Sequence, residues 1–302
     1  MRGLPAVSLV AVPGRRKRAA ELATEIERRG FPGIYCPSVG GDQLSFCVAV
    51  AEATSTLAFG TSIQPIYFRE AWDLAQTAGY INELSGGRFR LGLGVSHGPV
   101  HERLGLEPGR PLSDIRSYVR ALHDAAEKPG GLPPITLATL RNKMLELAVE
   151  ISDGAVWANG ARSHMGQQLA RIPDERRQAG FFIGNMIPTV IDDDRAAAAA
   201  VNRRTLSGYV RLPNYRSYWA EAGYAEEMTA IEQALAAGET DRIPGLMTDR
   251  WLSDVTLYGS VADVRAGLEA WQDAGVTTPI IVPSSTSGGQ LKALDELFAA
   301  FS

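Results

Sequence analysis

Short apolar runs of strand character alternate with helical runs along nearly the whole chain, and this alternation constrains the fold more than any other feature. The strand-like runs are 6–12, 33–36, 57–63, 88–95, 134–138, 154–158, 182–191 and 279–283. Between them lie helical runs at 19–29, at 42–54 behind a capping Asp42, at 69–84, behind Ser113, and at 145–151. In 69–84 the residues Ala71, Leu74, Ala75, Ala78 and Ile81 form one stripe at helical spacing. Ser85-Gly86-Gly87 then ends that helix, because glycine enters the left-handed turn that most residues resist. Each strand must return to the same side of a sheet through its helix, which makes the sheet parallel. Eight such units predict a (β/α)8 TIM barrel and a single domain over 1–302. A doubly wound open sheet shares the pattern, since periodicity does not show closure. The interval 192–278 is too long for one crossover, so a helical insertion between strands seven and eight is expected. Two or three helices are expected in it, including 218–223 and 261–274.

Composition fits this reading. The chain has 302 residues, 45% hydrophobic and 21% charged, enough for a large core. Formal charge is 30 − 34 = −4, which argues against a nucleic-acid partner. Two cysteines, Cys36 and Cys47, show no metal-binding spacing and do not make a disulfide scaffold. The apolar start at Leu4 is broken by Pro5, Ser8 and Pro13 and reads as a strand rather than a secretory signal. No apolar run reaches the roughly 20 residues of a membrane span. A cytoplasmic protein without a membrane partner is therefore expected.

The run from Leu84 to His97 carries the strongest local signal. Its strand has glycine at alternate positions, Gly92 and Gly94, which marks the close approach of a backbone or a ligand. It ends in the polar pair Ser96 and His97. The other C-terminal strand ends are Pro13-Gly14, Pro37-Ser38, Ser62-Ile63-Gln64, Thr139-Leu140, Asn159-Gly160, Asp192 and Ser284-Ser285, most of them small, polar and uncharged. In a barrel these would form one rim suited to a neutral, planar, hydrogen-bonding ligand. Polar loops and helix caps produce the same residue types. There is no Gly-x-Gly-x-x-Gly, since His97 stands where the last glycine belongs. His97 and His101 are four apart, but Gly98 and Pro99 between them argue against a helix and against a metal pair.

Two further features stand out. Arg15-Arg16-Lys17-Arg18 falls at the start of the first helix, where the dipole disfavours cations. It is either a solvated face or a landing site for an anionic cofactor tail. Trp157 reads as core, whereas Trp219, Trp251 and Trp271 fit either helix packing or a substrate wall.

Leu84-Ser-Gly-Gly-Arg-Phe-Arg-Leu-Gly-Leu-Gly resembles the signature of the bacterial luciferase-like flavin and deazaflavin oxidoreductases. Supporting segments begin at Leu57 (Leu-Ala-Phe-Gly-Thr-Ser-Ile), Ile151 (Ile-Ser-Asp-Gly-Ala-Val-Trp), Leu212 (Leu-Pro-Asn-Tyr) and Tyr258 (Tyr-Gly-Ser-Val-Ala-Asp-Val). The resemblance covers nearly the whole chain and implies a (β/α)8 barrel that binds FMN or coenzyme F420 at its C-terminal mouth. Gly94-Val-Ser-His-Gly-Pro99 is similar to the F420-dependent branch. Ser62-Ile63 matches a bulge that often carries a non-proline cis peptide behind the cofactor's middle ring. Ala138-Thr139-Leu140 matches a loop that contacts the cofactor, and Asn159-Gly160 the end of strand six. The cofactor contacts implied are Ser62, Ile63, Gly94, Ser96, His97, Ala138, Thr139, Leu140, Asn159 and Gly160. Many relatives carry an acidic or histidine pair after strand two, where this chain reads Cys36-Pro-Ser-Val-Gly-Gly41. No catalytic acid or base is assigned, and no metal.

The expectation is an F420-dependent oxidoreductase that transfers a hydride between the deazaflavin and a small organic substrate. Two alternatives stand beside it: an FMNH2-dependent monooxygenase, and a non-catalytic flavin-binding barrel. A homodimer is expected by analogy with the family.

Overall fold

A computed structural model describes residues 3–38, 42–126 and 131–301. Its strands are β1 (Ala6–Ser8), β2 (Gly33–Cys36), β3 (Ala58–Thr61), β4 (Gln64–Pro65), β5 (Phe89–Gly94), β6 (Ile135–Ala138), β7 (Gly154–Ala158), β8 (Phe182–Ile191), β9 (Leu257–Gly259) and β10 (Thr278–Ser284). The first eight helices are α1 (Arg16–Arg28), α2 (Gln43–Ala53), α3 (Ala71–Leu84), α4 (Gly98–Leu104), α5 (Pro111–Ala125), α6 (Asn142–Ile151), α7 (Arg162–Leu169) and α8 (Asp174–Gln178). The remainder are α9 (Arg195–Ser207), α10 (Pro213–Trp219), α11 (Ala225–Ala236), α12 (Ile243–Leu246), α13 (Asp249–Val255), α14 (Val261–Asp273) and α15 (Gln290–Ala300). The chain divides into two compact units, Leu4–Trp157 with Arg171–Gly184, and Met1–Gly3 with Ala158–Ala170 and Asn185–Ser302.

In the first unit the strands run β1-β2-β3-β5-β6-β7, with β4 added beside β5. The pairings β1–β2, β2–β3, β3–β5, β4–β5, β5–β6 and β6–β7 are all parallel, so the C-terminal ends share one edge. Val7, Ile34, Phe59, Leu91, Leu93 and Leu137 are completely buried, as are Ile26, Val50, Leu74 and Ile81 from α1, α2 and α3. Burying each such side chain contributes about 1.5–3 kcal/mol. Tyr35, Arg90 and Phe182 form a separate layer. The Tyr35 and Phe182 rings lie 5.4 Å apart, and the Arg90 guanidinium sits 4.7 Å from the Phe182 centroid. Burial pushes the Tyr35 hydroxyl up to about 12, and it lowers the pKa of Arg90.

The helix ends follow local chemistry. The carboxylate of Asp42 caps α2 by accepting from the Leu44 amide at 3.0 Å. The α3 helix stops at Ser85, and Gly86 (φ 63°) and Gly87 (φ 83°) make the expected left-handed turn. The α5 helix starts at Pro111 rather than after Ser113, since proline suits the first helical turn and Asp114 favours the dipole there. Gly98 and Pro99 do not prevent a helix either. His97 is the N-cap of α4 and Pro99 sits in its first turn, where a missing amide costs nothing.

In the second unit β9 runs parallel to β8, with Thr189 opposite Leu257 and Ile191 opposite Gly259. β10 also pairs with β8. The interval from β8 to β10 holds α9 through α14 together with β9, a longer helical segment than the expected two or three helices. Asp194 caps α9 by accepting from the amides of Ala196 and Ala197, both at 3.0 Å. A reciprocal Ser260–Asp263 capping box opens α14. Trp219, Trp251 and Trp271 are completely buried, and Trp219 stacks edge-on against Trp251 at 4.9 Å. These tryptophans pack helices and do not line an open wall.

Candidate functional site

The site is built where β3, β5 and β6 end. Thr61, the last residue of β3, exchanges two hydrogen bonds with Gly92: its hydroxyl donates to the Gly92 carbonyl at 2.7 Å and accepts from the Gly92 amide at 2.9 Å. A side chain at 92 would place its Cβ 2.0 Å from the Thr61 carbonyl oxygen, so only glycine permits this approach. The chain then turns through a cis Ser62–Ile63 peptide, as the resemblance implied. The Ser62 amide donates to the Cys36 carbonyl at 2.7 Å. Gln43, from the first turn of α2, donates its amide to the Ile63 carbonyl at 3.1 Å and to Gln64 Oε1 at 2.9 Å. Gln64 in turn donates to the Pro65 carbonyl at 3.2 Å. No sequence motif marks Gln43, because its role depends on a partner 20 residues away.

Ile63, Gly94 and Ala138 meet. A Cβ added to Gly94 would lie 2.8 Å from Ile63 Cδ1 and Cγ1 and 3.0 Å from Ala138 Cβ. The absent side chain lets Ile63 and Ala138 pack over Gly94, and the three form a compact apolar platform. Thr139 follows directly. Its amide donates to the Val156 carbonyl at 2.9 Å, and its buried hydroxyl has no partner among the described residues. Ser62 is buried, and Leu140 is half-buried beside Thr139. Ser96 adopts φ 64°, a conformation uncommon for a residue with a Cβ. His97 is half-buried, and burial followed by the neighbouring His101 lowers its pKa below the ordinary imidazole value. At neutral pH it is uncharged. His101 does not offer a metal its Nε2 nitrogen, which lies 2.6 Å from the Val95 carbonyl. Since a carbonyl only accepts, Nε2 carries a proton and donates.

Ser62, Ile63, Gly94, Ser96, His97, Ala138, Thr139 and Leu140 thus lie at neighbouring strand ends of the first unit. Asn159 and Gly160 belong to the second. Asn159 is buried with φ 58°, and its carbonyl accepts from the Trp219 indole at 3.1 Å. The Gly160 amide donates to Asn185 Oδ1 at 3.2 Å. The end of strand two contributes Cys36 and Pro37 to a small cleft with Leu9, Ala11, Asp42, Gln43 and Phe46. Of the run 36–41 that departs from the family pattern, Val39 to Gly41 lie outside the described residues. Arg15, Arg16 and Lys17 are exposed and have no acidic partner among the described residues, while Arg18 pairs with Glu21 at 3.1 Å.

Not all of the signature faces the site. Arg88 lies behind it, donating to the carbonyls of Ser85 (2.8 Å), Leu57 (3.0 Å), Ala51 (3.0 Å) and Thr54 (2.9 Å) and to the Thr54 hydroxyl (2.9 Å). It holds the C-terminus of α2 to the start of β3. Among the described residues no helix is long and apolar enough to cross a membrane, and no group of three or more metal-ligating side chains is present.

Parallel strands with their helices, and a small polar rim at the strand ends, define a (β/α)8 barrel of the kind that holds a ligand over its C-terminal edge. The chain belongs to the luciferase-like monooxygenase family, whose model matches residues 6–278. It is 25% identical to a 5,10-methylenetetrahydromethanopterin reductase of Methanolobus tindarius, over 92% of this chain and 93% of that one. Among solved structures it is similar to a coenzyme F420-dependent tetrahydromethanopterin reductase from Methanopyrus kandleri, with TM-score 0.75 at 16% identity over 98% of both chains. It is also similar to an FMN-bound type II Baeyer-Villiger monooxygenase from Pseudomonas putida, with TM-score 0.63 at 14% identity over 98% of this chain and 95% of that one. These likenesses establish the α/β barrel fold.

Proposed function

We propose that the protein is a coenzyme F420-dependent oxidoreductase that transfers a hydride between the deazaflavin and a small organic substrate. The observation that carries this reading is the apolar platform that Ile63, Gly94 and Ala138 form next to the buried hydroxyl of Thr139. The residues suit a flat tricyclic ring system. The apolar side chain of Ile63 suits the face of a planar group, and the buried hydroxyl of Thr139, without a partner among the described residues, offers a hydrogen bond that the protein leaves unused. When bound, the deazaflavin supplies the hydride chemistry, and the protein supplies orientation and hydrogen bonds.

Within that frame Ile63 would pack against the ring system, Thr139 and Ser96 would offer it hydrogen bonds, and neutral His97 would donate or accept one hydrogen bond without adding charge. The likeness of Gly94–Pro99 to the F420-dependent branch supports the deazaflavin over FMN. So do Arg15, Arg16 and Lys17, exposed and without an acidic partner among the described residues, which suit a ligand with an acidic tail.

The test is a fluorescence titration of the purified protein with oxidised F420 and with FMN, each at low and moderate salt. Tight, salt-sensitive F420 binding with weak FMN binding is expected. A clear preference for FMN would move the protein to the monooxygenase reading, and binding of neither would leave a barrel without this cofactor function.

A further inference from the structure

The 62–65 bulge and the Ser96 turn flank the platform from two different chain segments, and one side-chain chain joins them. β4 pairs with the end of β5, with Gln64 opposite Leu93 and Pro65 opposite Gly94. The single 3-10 turn Ile66–Phe68 that follows carries Tyr67. The Tyr67 ring meets the His101 imidazole edge-on, with centroids 5.4 Å apart and planes at 89°. His101 in turn donates from Nε2 to the carbonyl of Val95 at 2.6 Å, one residue before the left-handed Ser96. The Tyr67 hydroxyl is anchored by the Asp114 carboxylate at 2.6 Å, from the first turn of α5.

This geometry has a purpose that packing alone does not require. His101 is buried, yet its ring nitrogen serves a backbone carbonyl in the loop before its own helix, where water or a short polar residue would satisfy the carbonyl as well. This contact holds the peptide that precedes the left-handed Ser96. Burial, then the Asp114 hydrogen bond, raises the Tyr67 pKa, so the hydroxyl remains a donor throughout the physiological range. A left-handed residue with a Cβ persists only where its surroundings over-determine it.

We propose that Asp114, Tyr67 and His101 form a brace that sets the Ser96-His97 turn relative to the Ile63 bulge, making His101 a positioning residue for the bound cofactor. The brace rests on the cofactor reading above. It predicts that His101 alters ligand affinity without touching the ligand.

The experiment compares wild type, His101→Ala, His101→Gln and Tyr67→Phe in F420 titration, in thermal melting and in hydrogen exchange of the ligand-free 95–104 segment. His101→Ala is expected to weaken F420 binding about tenfold, the loss of one buried hydrogen bond. His101→Gln, whose amide can still reach the Val95 carbonyl, should restore most of that affinity. Tyr67→Phe should give an intermediate loss. Exchange of the 95–104 segment should rise in His101→Ala and fall back in His101→Gln, with melting temperatures of the two variants close together. Wild type that binds F420 while all three variants bind it equally would overturn the brace and leave the cofactor reading standing. Wild type that fails to bind F420 would overturn the cofactor reading and, with it, the positioning role. A His101→Ala protein that does not fold would leave the decision to Tyr67→Phe and His101→Gln: unchanged exchange and affinity in Tyr67→Phe would overturn the brace.

Discussion

The hydroxyl of Thr61 and the backbone of Gly92 exchange two hydrogen bonds, at 2.7 and 2.9 Å, across neighbouring strands. This pair lets β3 leave the regular ladder and form the bulge. In Gly92→Ala the new methyl would meet the Thr61 carbonyl oxygen at 2.0 Å, and a backbone atom cannot swing aside. We expect a loss of more than about 3 kcal/mol, measured by denaturant unfolding. Thr61→Val, which keeps the shape and removes both bonds, should cost about 1–3 kcal/mol. A stable Gly92→Ala protein would show that the bulge does not depend on this contact.

Gly94→Ala is expected to behave differently. Its methyl would meet Ile63 Cδ1 and Cγ1 at 2.8 Å and the Ala138 methyl at 3.0 Å, so the Ile63 side chain must shift, at a cost of about 1–3 kcal/mol. The displaced Ile63 side chain would change the shape of the platform, and F420 affinity should fall at least about tenfold. Affinity within a factor of two of wild type would remove Gly94 from the ligand surface.

Arg88→Ala would leave the carbonyls of Ala51, Thr54, Leu57 and Ser85 without their shared donor. A destabilisation of about 2–4 kcal/mol is expected, and Arg88→Lys should recover less than half, since an ammonium cannot reproduce the planar fork. Ligand affinity of the folded fraction should be unchanged, which separates this residue from those on the platform.

The pH dependence of stability follows from His97. Its folded-state pKa lies below the ordinary 6.5, first because of burial and then because of His101. Above 6.5 the ring is neutral both folded and unfolded. As the pH falls below 6.5 the unfolded chain takes up the proton first, so stability declines until the folded pKa is passed. His97→Gln should flatten the stability profile on the acid side of 6.5 in denaturant titrations. An identical profile for the variant would assign the acid sensitivity to other groups, of which His164, also lowered by burial, is the next to test.

Much of the architecture is legible because it is local. The stripe of α3, its Gly86-Gly87 stop, the Asp42 and Asp194 caps and the succession of strands all follow from residues within a few positions of one another. The helix α4 is not legible from Gly98-Pro99 read as breakers, because proline in a first turn looks the same in sequence as proline in a loop. Tyr67, His101 and Asp114 are equally hidden, since Tyr67 and Asp114 meet across 47 positions. That Gly94 and Thr139 lie at neighbouring strand ends is legible from the strand pattern. The role of Gln43 is not, because its amide works on a carbonyl supplied by the bulge.

Arg88 and Gly92 stand in the most recognisable run of the chain, and both serve assembly. A search keyed on that run will therefore retrieve chains that build this bulge, whatever they bind. Ligand choice can drift in the residues beyond Gly94 while the run itself stays readable, so two proteins sharing it need share no substrate. Sorting such chains by chemistry calls for comparing the turn at Ser96-His97 and the loop at Thr139.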